Sequence, residues 1–75
     1  MSQRQQRLAV ERQAVVVQQM DLQRSLEERR KQLGAAQNPI IRSRMQTAVS
    51  ELEARGAVLE EQLAAIDERI RALAA

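Results

Sequence analysis

Between Met45 and Leu73 the apolar residues recur at alternating spacings of four and three: Met45, Val49, Leu52, Leu59, Leu63, Ile66, Ile70 and Leu73. Gly56 falls in the same series and is its one member without a side chain. A stripe of that period runs along one side of an α-helix and has to be covered by another helix, so it sets the class as all-α and predicts a coiled-coil-like seam. The first half of the chain offers the covering residues at Leu8, Val15, Leu22, Leu26 and Leu33.

The two halves are separated by the chain's one cluster of helix breakers. Ser2 to Leu33 contains neither Gly nor Pro and is rich in Gln, Arg, Leu, Glu and Ala, which predicts a first helix over residues 2–33. Arg29, Arg30 and Lys31 suit the negative end of its dipole, and Gly34 stands where a left-handed cap residue is expected. Asn38 followed by Pro39 is a start signal: the Asn side chain accepts from free backbone N–H groups, and Pro costs no hydrogen bond at the first helical position. The second helix is therefore expected over 39–73, with a loop over 34–38, the whole chain of residues 1–75 forming one helical-hairpin unit.

Folding back at that loop sets Leu8 level with Ile66, Val15 with Leu59, Leu22 with Leu52, Leu26 with Ala48 and Leu33 with Ile41. Seam meets seam, which favours an antiparallel two-helix hairpin over a rod broken at Gly34. Ion pairs one turn apart are expected at Glu27 with Lys31, Glu51 with Arg55 and Asp67 with Arg71. Gly56 reads either as a point of close helix approach or hinge, or as a hole filled by Gln18, Gln19 or another subunit's Met20.

A hairpin of this composition is poorly equipped to stand alone. Of the apolar residues 12 are alanine, there is no Phe, Tyr or Trp to anchor a core, and no Cys to cross-link one. The first helix is also apolar beyond its seam. Val10, Val16, Val17 and Met20 lie off the stripe that a single partner helix can cover, and helices that are apolar on more than one side are buried on more than one side. These four residues are the expected oligomer interface, completing the hairpin to a four-helix bundle or larger helical assembly.

The hairpin tip is the other candidate site. From Glu28 to Glu51 the chain carries Arg29, Arg30, Lys31, Arg42 and Arg44 with no acid between, and Arg42 and Arg44 sit at a helix start, where the dipole prefers acids. With exposed Ile40 this group, Arg30, Lys31, Ile40, Arg42 and Arg44, reads either as a partner-binding tip for an anionic surface or as a solvated loop. Nucleic acid is the less favoured partner: stacking aromatics are absent, and acids alternate with cations elsewhere.

Chemistry has little material. The chain has no His, Cys or Tyr and no Gly-rich phosphate loop, and its hydroxyls at Ser2, Ser25, Ser43, Thr47 and Ser50 lack a base. Glu27 with Glu28, and Glu60 with Glu61, diverge around a helix and read as solvated faces. No enzyme activity, cofactor, metal or small-molecule substrate is expected.

The longest apolar runs, Ala14 to Val17 and Leu63 to Ile66, are far short of the ~20 residues that cross a bilayer, and no signal-peptide core follows Met1. The expected location is cytoplasmic or within a macromolecular assembly. Met1-Ser2 and the terminal alanines favour a whole chain over a fragment of a longer coiled coil. The bias to Arg, 11 of 12 cations, and to 11 Gln fits a GC-rich bacterial or phage genome. The sequence thus reads as a non-enzymatic adaptor, co-chaperone or assembly subunit that binds itself or another helical protein, the alternative being a small regulator that works through its basic tip.

Overall fold

The computed structural model describes residues 2–75. They form two helices, α1 (Gln3–Ala35) and α2 (Pro39–Ala74), of 33 and 36 residues, packed against each other as an antiparallel hairpin. Its extents are 55 × 15 × 12 Å, and its radius of gyration of 17.0 Å compares with about 11 Å for a compact domain of this length. The shape is a two-helix rod.

Both helix starts are closed by side chains. Ser2 and Gln5 form a capping box: the Ser2 Oγ accepts from the Gln5 N–H at 3.2 Å, and the Ser2 N–H donates to the Gln5 Oε1 at 3.2 Å. At α2 the Asn38 Oδ1 accepts from the N–H groups of Ile40 (2.9 Å) and Ile41 (3.3 Å), and Pro39 occupies the first turn as expected.

The end of α1 differs from the sequence expectation. Gly34 is helical, no described residue has a positive φ, and the helix runs on to Ala35. The chain leaves through Ala36 in an extended conformation (φ −74°, ψ 127°), and the Ala36 N–H donates back to the carbonyls of Gln32 (3.0 Å) and Leu33 (3.3 Å). An extended exit needs no left-handed residue, so glycine is not required at the cap. The connection shrinks to Ala36, Gln37 and Asn38, and Arg29, Arg30 and Lys31 lie before the last turn.

The core consists of Val15, Leu22 and Leu26 of α1 with Val49, Leu59 and Ile66 of α2, flanked by Leu8, Leu33, Leu52, Leu63 and Ile70. Met45 is half-buried at the tip end, whereas Leu73 at the open end is exposed. On α1 the inward series is Gln5, Leu8, Arg12, Val15, Gln19, Leu22 and Leu26, all buried or half-buried. Polar residues thus take alternate seam positions over the first half of α1, while α2 offers an apolar seam.

Side-chain direction adds to the level pairing. Side chains lean toward the N-terminus of their own helix, which is the open end for α1 and the tip for α2. Leu22 accordingly leans away from the tip and places its Cδ2 3.2 Å from where a Gly56 Cβ would stand, one turn beyond Leu52. Gly56 therefore lies in an unbroken α2 with no hinge, and the space left by its missing side chain is met by Leu22, not by Gln18 or Gln19 of the same chain. At the tip, Ile41 is 46% exposed, while Leu33, the residue expected level with it, is half-buried against the core.

Charged contacts differ as well. Arg12 Nε donates to Asp67 Oδ1 at 2.7 Å across the helix interface, both side chains being partly buried. Asp67 is thereby taken from Arg71, whose nearest acid is Glu68 at 4.0 Å. No ion pair forms at Glu27–Lys31 or Glu51–Arg55 among the described residues, because these exposed groups gain too little to hold two long side chains in one geometry.

Candidate helix-docking face

With about 100° of rotation per residue, the inward series of α1 centres on one side of the helix, while Val10, Gln13, Val17, Met20 and Arg24 centre on the opposite side. The burial agrees with this geometry: Val10 is 70% exposed, Val17 45% and Met20 55%. Val16 lies a quarter-turn from both stripes and is half-buried. The expected interface residues therefore divide into an outward trio and one lateral residue. The trio lies opposite the seam, not beside it as the second contact of a compact four-helix bundle would.

α1 thus carries two heptad stripes on opposite faces. The inner one is covered by α2. The outer one is apolar at Val10, Val17 and Met20 and polar at Gln6, Gln13 and Arg24. Arg7 borders it toward the open end and Asp21 toward the tip, on the same edge, and neither makes an ion pair within the hairpin. On α2 the exposed large apolar residues are Ile40 and Ile41 at the tip, Val58 at mid-length and Leu73 near the open end, so they form no matching stripe.

The accessible surface of 5926 Å² shows how incomplete the burial is. A compact monomer of 8.5 kDa exposes about 4,650 Å², so the hairpin leaves roughly a quarter more surface in water than a self-contained fold of its mass. Much of the excess follows from the rod shape, and the outer stripe is the part made of large apolar side chains.

At the tip, Arg30, Lys31, Ile40, Arg42 and Arg44 are all exposed. Arg42 is not free, because its Nη1 donates to the Ala36 carbonyl at 3.1 Å and so holds the connection closed. That bond gives Arg42 a structural task at a position where the helix dipole disfavours it. Ile40 lies against solvent at the first turn of α2. Leu33, Pro39, Arg42, Ser43 and Gln46 border an open, shallow groove there.

Other open grooves run along one lateral side of the hairpin, past Arg7, Glu11, Ala14, Gln62 and Ala65. Among the described residues no group of three or more His, Cys, Asp or Glu is placed to hold a metal ion, and no helix is long and apolar enough to cross a membrane. The sequence reading missed the Arg12–Asp67 pair. Its signal was present: Arg12 stands at a seam position between Leu8 and Val15, where a charge needs a partner on the facing helix. No family model matches the sequence, and neither a curated protein nor a solved structure matches it.

Proposed function

We propose that the chain is a non-enzymatic assembly module, an adaptor, co-chaperone or structural subunit, that docks a helix onto the outer stripe of α1. The observation that supports this most is the stripe itself: Val10, Val17 and Met20 stay exposed on the face opposite α2, at the period another helix needs. The hairpin positions this face by burying the inner stripe. The dearth of nucleophiles and bases in the sequence favours binding over catalysis. The Arg42 bond to Ala36 favours the stripe over the tip as the working surface, since one tip cation is already engaged.

The test is recovery of the assembled species from the native source with variant chains. Val17→Asp or Met20→Asp is expected to abolish assembly while leaving helical content intact, and the pair Arg42→Glu with Arg44→Glu to leave assembly unchanged. The opposite pattern, assembly insensitive to the stripe and lost on reversing the tip charges, transfers the function to the tip. For a nucleic-acid partner that loss would be accompanied by a steep fall of affinity with salt.

A further inference from the structure

We infer that the helix covering the outer stripe is α1 of a second copy, packed antiparallel with the two-fold axis passing between the two α1 helices at the level of Val15. This rests on the docking-face reading and adds the occupant and its direction. In this register Val10 lies level with Met20 of the partner subunit, and Gln13 with the partner subunit's Val17. Each apolar layer is repeated by the symmetry, and no charge enters the layers from Val10 to Met20. One edge of the contact brings Ala14 to the partner's Ala14, small enough for close approach. The other brings Val16 to the partner's Val16, which accounts for the lateral member of the apolar group.

Charge complementarity selects this arrangement. On the Ala14 edge, Arg7 faces the partner's Asp21, and the two-fold axis repeats the pair, so four charges without ion-pair partners in the hairpin become two pairs. A parallel packing instead sets Arg24 on the partner's Arg24 and Lys31 on the partner's Lys31 within the stripe, and brings both basic tips together. Sliding the antiparallel register one heptad toward the tip sets Val10 against the partner's Glu27, and sliding it the other way sets Val10, Val17 and Met20 against the partner's Gln13, the partner's Gln6 and the partner's Gln3, with no apolar layer left. Only the register centred on Val15 keeps Val10, Val17 and Met20 in one apolar contact.

The resulting dimer is a flat layer in the order α2, α1, α1, α2, because each outer stripe lies opposite its own seam. Its tips point to opposite ends.

The experiment is double electron–electron resonance on the full chain carrying Glu28→Cys and a nitroxide label, combined with sedimentation of the same sample. The chain has no native cysteine, and Glu28 lies outside the apolar layers. The antiparallel register places the two labels about 39 Å apart along the helices, whereas a parallel one places them within about 20 Å. A dimer with the long distance is the expected result. In the charge test, Arg7→Asp or Asp21→Arg alone weakens self-association about tenfold, and the two together restore it.

A dimer with the short distance overturns the antiparallel register and leaves the docking face standing. A chain that stays monomeric overturns the second copy as occupant, and the Val17→Asp recovery then judges the docking face separately. Failure of the charge swap to restore association removes the Arg7–Asp21 contact and with it the register.

Discussion

The Leu22 side chain lies over the bare backbone of Gly56, its Cδ2 3.2 Å from the point a Cβ would occupy. An added methyl group there meets the far end of a flexible side chain that borders an open groove with Gln18, Asp21, Ser25, Leu52 and Arg55. Gly56→Ala therefore trades a few tenths of an ångström of movement against a gain in helix propensity of ~1 kcal/mol, and is expected to be close to neutral. Gly56→Leu has no such room and is expected to lower stability by about 1–3 kcal/mol, as measured by urea unfolding.

Gly34 is the control for that comparison. It is helical, a Cβ there meets nothing within 4 Å, and its φ is not positive. Gly34→Ala is expected to stabilise the chain by about 0.5–1 kcal/mol, partly through the unfolded state. Destabilisation in the same urea titration would mean that the glycine serves a left-handed cap after all.

Arg12 and Asp67 should show measurable coupling. The pair is short, lies between helices and is partly buried, so a double-mutant cycle with Arg12→Ala and Asp67→Ala is expected to give a coupling of about 0.5–1 kcal/mol. The same cycle on Glu68 and Arg71, which are 4.0 Å apart and exposed, should give a coupling close to zero.

Asn38 holds the start of α2 with two accepted hydrogen bonds. Asn38→Ala is expected to cost about 1 kcal/mol in the same assay, and Asn38→Gly only a few tenths. Ser2→Ala at the fraying end of α1 should cost less than Asn38→Ala, because local opening there exposes little apolar surface.

The elements that read well from sequence are those fixed by local chemistry. Asn38 and Pro39 mark the start of α2 without ambiguity, since capping and the proline ring act within one turn. The seam of α2 was legible because its period is unbroken from Met45 to Ile70. The Ser2–Gln5 capping box was present in the spacing as well, but the helix assignment did not use it.

What did not read well depends on where side chains meet in space. The end of α1 was placed at Gly34 on the residue's conformational freedom, whereas Ala36 leaves the helix extended and asks for none. The level pairing ignored the lean of side chains toward their own helix N-terminus, which brings Leu22 to Gly56 as well as to the groove it shares with Leu52. Asp67 was assigned to Arg71 by i,i+4 spacing, and the interhelical Arg12 won by offering a drier site. At the candidate site, the apolar surplus of Val10, Val16, Val17 and Met20 was visible in the sequence. That three of them form a stripe opposite the seam required the hairpin geometry.

The outer stripe of α1 is proposed as a docking surface that the hairpin cannot satisfy alone. It is tested most directly by thermal unfolding, followed by circular dichroism over a roughly hundredfold range of chain concentration, for the natural chain and for Val17→Asp. The expected melting temperature rises with concentration for the natural chain and is lower and independent of concentration for Val17→Asp. A cooperative melt indifferent both to concentration and to Val17→Asp would contradict it.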